Sequence, residues 1–511
     1  MNKKIATLFV AAFSMLVITS CKRDFLDVPP QGQLTEEQAL IDPAAADNLV
    51  AGVYNTLYSQ GTVGLRWAVV NQIASDDADK GSTPGDNGFG SKDIDEFSFT
   101  TSNENFNELW KAHYLAISRA NKALDILGKS TFDSVTRNRL TGEVRFLRGM
   151  YYFNLVRLFG GVPKLTRVIL PTEANNDEFQ TRATKEEIYA VVTEDLQFAV
   201  DHLPLKGDAN TKVGRANKGV AESFLAKVYL YLKDWQKAYD LSQDVINSGK
   251  YDLAADYATI FRESGNNNIE SIFEVQTGPS KSPTGTCDAV SNNFSNFQGP
   301  RAKGAWSNNV DGKPYDGDLG LGINPPTADL ANAYEPGDTR KAGTIIFIDP
   351  VNPVTLWDGF IIPAKPLVEN DRYNYKAYHS PFKETPACNG YLDKDHKPKN
   401  IRLMRFAEVL LINAEAALHT GADAATPLNR VRARASLGPV AATEASVWKE
   451  RRLELAMEGD RFLDLVRQGT AGATMRAQGK NFVDGKNELY PIPQQQIDLS
   501  GNRLTQNPNY N

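Results

Sequence analysis

Residues 143–163 read EVRFLRGMYYFNLVRLFGGVP, and this stretch indicates what kind of fold the chain adopts. Over residues 144–159 the apolar side chains follow the i, i+3, i+4, i+7 spacing of a helix that packs through one face. The glycines and the proline of GGVP at 160–163 then end that helix. Residues 106–127 show the same spacing just upstream. Together the two stretches predict a helical hairpin.

Helical patterns continue on both sides of this hairpin. Thr35 and Gln38 have the spacing of a capping box, in which each residue's side chain bonds the other's backbone at the start of a helix. Further helices are predicted over residues 47–58, 184–203, 215–232, 234–248, 401–419, 427–436 and 446–466.

Small residues recur where two helices would have to approach closely, as at Ala120, Ala226, Ala238 and Ala414. Aromatic residues lie one or two turns from them, as in tetratricopeptide-like helix pairs. The spacing does not match the full 34-residue consensus of that repeat, so a general helical bundle is the alternative. The sequence predicts a mainly α fold, a tetratricopeptide-like superhelix of helix pairs.

The pattern changes between about residues 269 and 399. Short apolar stretches, such as 271–275 and 344–348, are separated by Asn, Gly, Pro, Asp and Ser, and no helical pattern exceeds about two turns. Loops of this length in a folded protein are usually functional or disordered. We therefore predict a long loop-rich insertion carrying short strands. Residues 75–105 are also rich in loop-forming residues.

The first 21 residues indicate a secretion signal. Lys3 and Lys4 precede an apolar run at 5–18, which is too short to span a bilayer core of roughly 30 Å. Residues 16–21, LVITSC, have the order of a bacterial lipobox, so Cys21 is predicted to be lipidated and to become the new N-terminus. An ordinary cleavage site beside a chance cysteine is the alternative. The predicted regions are a signal (1–20), a tether (21–34), a helical region (35–270), a loop-rich and ligand-binding region (271–400) and a C-terminal helical region (401–511).

Charge and cysteine content exclude some functions. Removal of Lys3 and Lys4 with the signal leaves 54 basic and 62 acidic residues, a net charge near −8, and there is no polybasic block. Nucleic acid is therefore not an expected partner. Cys287 and Cys388 have no zinc-ligand spacing around them, and they could pair in an oxidising compartment.

No catalytic or metal-binding motif is recognisable. The five histidines show no HExxH or paired spacing, and GxSxG and GxxxxGK[ST] are both absent. Asp76, Asp77 and Asp79 could offer oxygens to calcium, but the 12-position loop pattern fails. We expect no catalytic residue, no metal and no cofactor.

The chain resembles the SusD/RagB family along nearly all its length. The motifs that carry the resemblance, in family order, are Phe25-Leu26-Asp27-x-Pro29-Pro30, Trp110-x-x-x-Tyr114-x-x-Ile117-x-x-Ala120-Asn121, the opening stretch at 143–163, Gly214-Arg215-Ala216, Ala226-Lys-Val-Tyr229-Leu-Tyr231, Glu270-x-Ile272-Phe-Glu274-Val-Gln276, Arg405-x-Ala407-Glu408-Val-Leu-Leu411-x-x-Ala414-Glu415-Ala416, Glu450-Arg451-x-x-Glu454-Leu-Ala-x-Glu458-Gly-x-Arg461-x-x-Asp464-Leu465, Leu489-Tyr-Pro491-Ile-Pro493 and Gln506-Asn-Pro508. Gly149 departs from the family pattern, which has alanine there. This glycine should cost ~1 kcal/mol of helix propensity.

The resemblance implies a lipid-anchored protein of the outer membrane that faces the exterior. It implies binding of a nutrient, most often a glycan, and delivery to a SusC-like TonB-dependent transporter. A surface glycoside hydrolase, a binding protein for peptides or other nutrients, and a helical scaffold are the alternatives. The charged residues of the motifs are interpreted as structural ion pairs rather than as site residues.

Glycans bind proteins largely by stacking on exposed aromatic rings, with hydrogen bonds from fixed polar groups. The two loop regions supply both kinds of residue. The predicted ligand-binding residues are Trp67, Asp76, Asp77, Trp306, Tyr315, Trp357, Arg372, Tyr373 and Tyr375. For any one ring, packing inside its own loop is the alternative. Trp110, Trp235 and Trp448 lie in helical patterns and are predicted to belong to the core.

Overall fold

The computed structural model describes residues 35–510 except 84, 86, 87, 89, 279–292 and 387. The predicted signal, the tether and Cys21 lie outside the described residues. About 48% of the chain is helical, and the mainly α, tetratricopeptide-like prediction is confirmed. The region boundaries proposed from the sequence remain predictions.

The helices that precede residue 270 form the first part of the scaffold. They are α1 (Glu36–Ile41), α2 (Pro43–Tyr54), α3 (Leu65–Ala68), α4 (Ser91–Asp95), α5 (Glu104–Lys129), α6 (Ser134–Phe159), α7 (Asp177–Gln180), α8 (Lys185–His202), α9 (Lys218–Leu232), α10 (Trp235–Asn247) and α11 (Tyr257–Ile260). The capping box predicted at Thr35 and Gln38 is confirmed at the start of α1. The predicted hairpin is formed by α5 and α6.

Helix α6 carries the opening stretch and lies at the centre of this scaffold. Every residue from 142 to 159 except Arg145 is buried, because α5 and α8 cover it from two sides. Arg148 connects the three helices: its Nε and Nη2 donate to the Asp195 carboxylate of α8 at 2.7 and 2.8 Å, and its Nη1 donates to Asn121 Oδ1 of α5 at 2.8 Å. The packing continues from α8 to α9 and from α9 to α10.

The loop-rich region begins and ends at two adjacent strands. Its elements are β1 (Ser271–Val275), α12 (Phe294–Gln298), β2 (Ser307–Val310), β3 (Lys313–Asp316), α13 (Ala328–Ala333), α14 (Arg340–Thr344), β4 (Ile345–Phe347), β5 (Val354–Thr355), β6 (Ile361–Ile362), β7 (Arg372–Asn374) and β8 (Ile401–Arg405). Antiparallel pairing joins β1 to β8, β2 to β3, β4 to β7 and β5 to β6. A separate small core, which includes Trp306, Tyr315, Phe360 and Tyr373, lies under these loops.

The C-terminal region returns to helix. It contains α15 (Phe406–Thr420), α16 (Ala425–Arg434), α17 (Glu444–Leu455), α18 (Arg461–Arg467), α19 (Ala471–Ala477) and α20 (Gln494–Leu499). Packing of α10 on α15 joins this region to the first helices, and the largest hydrophobic core contains residues from 46 to 510.

Two helix predictions in this region were wrong in part. Residues 401–405 are the strand β8 and not the first turn of a helix, because β1 pairs with them. The helix predicted over 446–466 is divided into α17 and α18. Met457 and Gly459, with φ of 66° and 107°, lie at the break. Such positive φ values end a right-handed helix.

A buried ion network holds the loop-rich region against the C-terminal helices. The Glu454 carboxylate of α17 accepts hydrogen bonds from Arg340 at 3.1 Å, from Arg405 at 3.0 Å and from Arg434. Burial raises the pKa of Glu454, but the charges of Arg434, Arg405 and Arg340 outweigh burial and hold the pKa well below its usual range. Glu454 is therefore ionised in the interior.

We predict that Gly149→Ala destabilises the protein even though alanine is the better helix former. A Cβ at residue 149 would lie 3.2 Å from Leu196 Cγ and 3.3 Å from Asp195 Cβ, and the Arg148 hydrogen bonds hold Asp195 in place. Overpacking of this kind costs ~1–3 kcal/mol, which exceeds the ~1 kcal/mol gained in helix propensity. Gly128 of α5 has open space around its Cβ position, so Gly128→Ala should be stabilising. Chemical denaturation of both variants provides the comparison, and a stabilised Gly149→Ala variant would contradict it.

We also predict that Glu454→Gln lowers the free energy of unfolding by ~3–5 kcal/mol at pH 7, because the change removes one negative charge from a buried network and weakens three arginine contacts at once. Arg340, Arg405 and Arg434 each keep another carboxylate partner, but the network is left with an excess of positive charge around residue 454. Since the folded-state pKa is depressed, this difference from wild type should persist above pH ~4.3 and shrink as the pH falls below it. Glu444→Gln is the matched control on the same helix, because the Glu444 side chain is exposed and, among the described residues, pairs only with His419 at 3.5 Å. Urea unfolding at pH 7 and pH 4 measures both. Equal losses for the two variants would refute the role given to Glu454.

Candidate ligand platform

The structure places the nine predicted ligand-binding residues in very different environments. Five of them have buried side chains, namely Asp76, Asp77, Trp306, Tyr315 and Tyr373. The other four, Trp67, Trp357, Arg372 and Tyr375, are exposed or half-buried.

Asp76 and Asp77 join the first loop region to the C-terminal helices. Arg461 donates two hydrogen bonds of 2.8 Å to the Asp76 carboxylate, and Arg452 lies 3.0 Å from Asp76 and 2.8 Å from Asp77. Burial raises the pKa of Asp76, but Arg461 and Arg452 outweigh it and the pKa is lowered. The pKa of Asp77 is raised, mainly by burial. These pairings give both aspartates an internal role, and neither belongs to the site proposed below.

Trp306, Tyr315 and Tyr373 pack inside their own loops. The Trp306 indole N–H donates to the Leu367 carbonyl at 3.0 Å, and the Tyr315 hydroxyl donates to the Asp318 carbonyl at 3.2 Å. The Tyr373 hydroxyl accepts from the Asn370 backbone N–H at 3.1 Å. Their polar atoms have hydrogen-bond partners within the protein, so these rings belong to the small core of the loop-rich region.

Trp67 lies at the wall of an interior cavity. The cavity contains about 820 Å³ of empty space, counting the part open to solvent, and Arg157, Lys227, Lys376, Glu458 and Asp460 also line it. The Arg157 guanidinium is 5.7 Å from the centre of the Trp67 ring. A Cβ at residue 459 would lie 3.1 Å from Trp67 Nε1, so glycine at that position allows the chain to approach the ring closely.

Arg372 is half-buried, and its guanidinium helps to hold the loops. Its Nε donates to the Pro326 carbonyl at 2.8 Å, and its backbone pairs with Phe347 in the β4–β7 ladder. Arg372 therefore fixes the position of β7, from which the chain runs directly into Tyr375.

Trp357 and Tyr375 are brought together at the surface by Arg262. The Arg262 guanidinium carbon is 4.4 Å from the centre of the Tyr375 ring and 5.5 Å from that of Trp357. Trp357 is 46% exposed, an unusual value for a residue with this much apolar surface. We call Trp357, Tyr375 and Arg262 the platform.

The platform is held rigidly from beneath. Arg262 is buried, and its Nη1 and Nη2 donate to the carbonyls of Tyr378 and Tyr375 at 2.9 and 2.7 Å. The Tyr378 hydroxyl donates to Asp358, the neighbour of Trp357, at 2.6 Å. Burial, with the nearby carboxylates of Asp256, Glu384 and Asp358, raises the pKa of Tyr375 despite the opposing charge of Arg262. The Tyr375 hydroxyl therefore remains protonated and able to donate at neutral pH.

Sequence reasoning missed Arg262 and Tyr378. Arg262 follows a helix of four residues within the region assigned to the scaffold, more than ninety positions before Trp357. No local signal distinguishes it from other arginines. The clustering of Trp357, Tyr375 and Tyr378 within 22 residues is the one feature that could have been noticed.

In the part of the chain that the structure describes, no group of three or more His, Cys, Asp or Glu side chains is placed to hold a metal ion. Within that same part, no helix is both long enough and apolar enough to cross a membrane. Cys388 is disulfide-bonded, and Cys287 lies outside the described residues.

Comparison with known protein families gives two matches in successive parts of the chain. Residues 24–230 match a SusD-like family described as starch-binding and associating with the outer membrane, and residues 270–510 match the SusD family. A SusD-like protein (P2) of Formosa agariphila is 25% identical over 98% of this chain and 99% of its own length. The starch-binding protein SusD of Bacteroides thetaiotaomicron is 25% identical over 73% of each chain.

Solved structures agree with these matches. A laminarin-binding SusD-like protein superposes with a TM-score of 0.75 and is 28% identical, over 91% of this chain and 99% of that one. The matches together extend from residue 24 to residue 510, across the helical scaffold, the paired strands β1 and β8 and the loop-rich region. The chain belongs to the SusD/RagB family.

Proposed function

We propose that this protein binds a nutrient glycan on the platform and delivers it, without catalysis, to a SusC-like TonB-dependent transporter of the outer membrane. The single observation that carries the binding proposal is the exposed Trp357 ring, which shares the Arg262 guanidinium with the Tyr375 ring at 5.5 and 4.4 Å. The laminarin-binding and starch-binding relatives support a glucan as the first ligand to test.

The chemistry of the platform suits a sugar ring. The C–H face of a pyranose is apolar and stacks on an aromatic ring, while its hydroxyls need hydrogen-bond partners at the edge. Trp357 offers the stacking surface and the Tyr375 hydroxyl offers a donor. Because Arg262 is already bonded to two backbone carbonyls, the rings are preorganised, and little conformational entropy is lost when a ligand binds.

The remaining parts of the proposal concern location and partner. Lipidation at Cys21 would hold the protein at the outer membrane facing the exterior, and several acyl chains would hold it more firmly than one. Family membership supports a SusC-like barrel as the partner, with this protein as its lid. The acidic, helical scaffold lacks a recognisable catalytic motif, which suits a component that captures ligand for another protein.

We predict that Trp357→Ala weakens binding of laminarin or starch oligosaccharides roughly thirtyfold, because a stacking ring at a binding site is worth ~2 kcal/mol. The melting temperature should change little, since Trp357 is half-exposed. Phe347→Ala is the control, because Phe347 is a similarly exposed ring of the same region, at 41%, and Lys341 Nζ lies 5.5 Å from its centre. Isothermal calorimetry measures the affinities.

Three results would count against this placement. Unchanged affinity in Trp357→Ala would exclude the platform as the site. An equal loss in Phe347→Ala would mean that the effect is not specific to it. Release of reducing ends from the glucan by the purified wild-type protein would contradict binding without catalysis.

We predict that Cys21→Ser releases the protein from the membrane fraction while leaving glucan affinity unchanged, because the anchor and the platform are separate parts of the chain. From cells expressing the wild-type protein, extraction in mild detergent should co-purify a TonB-dependent barrel. Fractionation and mass spectrometry measure both. Membrane association that survives Cys21→Ser would refute lipidation at this residue, and repeated absence of a barrel would refute the lid.

A further inference from the structure

An apolar groove on the helical scaffold is left uncovered. Its walls are α5, the segment that follows α6, α7 and α20, and it contains about 1320 Å³ of empty space, counting the part open to solvent. Trp110, Tyr114 and Phe179 line it, and Leu115 and Leu499 at its walls are 54% and 71% exposed. Glu108, Lys111 and Gln496 also line the groove, so apolar walls are bordered by polar groups. A groove of this composition can hold a segment that carries both apolar and polar side chains.

Helix α1 shows from which direction the chain arrives at this surface. Glu36, at its first turn, pairs with Lys122 of α5 at 2.7 Å. Ala39 packs with Ile126, and the Leu40 carbonyl accepts from the Thr131 backbone N–H at 2.9 Å. Helix α1 therefore runs alongside α5 in the same direction. Because the two helices are parallel, we expect the residues that precede Thr35 to lie toward the N-terminal end of α5.

The groove lies on that path. Lys111, Leu115 and Lys122 are separated by four and seven residues, so they share one face of α5. Leu115 is seven residues from Lys122, which is ~10 Å along the helix axis. Ser118 and Arg119, which lie between them in sequence, are exposed, so this part of the path is uncovered.

The segment that precedes Thr35 has the right composition and length. Residues 25–30 read FLDVPP, so every side chain except that of Asp27 is apolar. Four residues separate this segment from Thr35. Four extended residues span ~13 Å, which exceeds the ~10 Å along α5 between Lys122, the partner of Glu36, and Leu115 at the groove. The two prolines restrict the free segment, so less entropy is lost when it becomes ordered.

We infer that residues 25–30 bind in this groove and cover Leu115 and Leu499. If Cys21 is lipidated as proposed above, binding of this segment shortens the linker between the lipid anchor and the scaffold. Only three residues would then separate the anchor from the docked segment, instead of a free tether of 14 residues that could extend ~46 Å. The face of the scaffold around α5 and α20 would be held beside the membrane.

Hydrogen–deuterium exchange tests the inference on a full mature chain that begins at residue 21 with Cys21→Ser, so the result does not depend on lipidation. Amides of residues 25–28 should exchange at least ~10-fold more slowly than those of an unstructured peptide of the same sequence. The Leu115→Asp/Leu499→Asp variant should lose this protection. Val135→Asp, which changes a 78% exposed apolar residue of α6 that does not line the groove, should retain it.

The outcomes separate the possible occupants. Protection that disappears in the groove variant, with unchanged exchange in α5 and α6, supports the inference. Exchange at the free-peptide rate in the unsubstituted chain overturns it. Protection that rises with protein concentration also overturns it, because the groove would then hold a segment of a second copy. Failure of lipidation would appear only in the Cys21→Ser fractionation, so the two proposals can fail separately.

Discussion

The contact on which most of this structure depends is the buried carboxylate of Glu454 with its three arginines. Arg340 comes from the loop-rich region, Arg405 from the end of β8 and Arg434 from α16, so one side chain joins three separate stretches to α17. An ionised carboxylate in the interior is tolerated only when it is fully paired. Assembly of the three stretches on α17 is therefore favoured, because each of them supplies part of the positive charge that stabilises the buried carboxylate.

The same helix also fixes the platform. The Glu454 backbone carbonyl accepts a hydrogen bond from the Tyr257 hydroxyl of α11 at 2.9 Å and from Lys376 Nζ at 3.2 Å. Lys376 is the neighbour of Tyr375, and Arg262 follows α11 by two residues. Both sides of the platform are thus attached to one turn of α17. Burial lowers the pKa of Lys376 to about 8, against the opposing charge of Glu458, and the 2.6 Å contact with Glu458 compensates its charge.

The sequence predicted the helical scaffold well because each helix can be identified from the apolar spacing of its own residues. The spacing of residues 144–159 identifies α6 without knowledge of its neighbours. The strand at 401–405 was missed for a different reason, whereas Gly459 is a local signal for the break within 446–466 that the helical spacing outweighed. Residues 401–405 form a strand because they pair with β1, which lies about 130 residues earlier in the chain. The spacing of the apolar residues within 401–419 does not indicate that partner.

The site was less predictable than the scaffold for the same reason. Trp306 and Trp357 lie in similar loop sequence, yet one ring is 3% exposed and the other 46%. What distinguishes them is Phe360, which packs on the Trp306 ring, and Arg262, which supports Trp357 from another region. Asp76 and Asp77 were predicted to bind a ligand because they lie in a polar loop region. Their arginine partners, Arg452 and Arg461, follow them by about 380 residues, so the local sequence does not reveal the pairing.

The pairing of β1 with β8 explains how a long insertion can carry a site without weakening the scaffold. Because the insertion leaves and rejoins the core at adjacent strands, its ends are fixed whatever the loops between them do. The entropy of closing a longer loop grows only slowly with length. The small core around Trp306 and Phe360 then orders the loops locally, while the Glu454 network sets their position relative to the helices. Ligand contacts can therefore change by substitution at a few exposed rings, such as Trp357, without any change in the buried charges that hold the insertion in place.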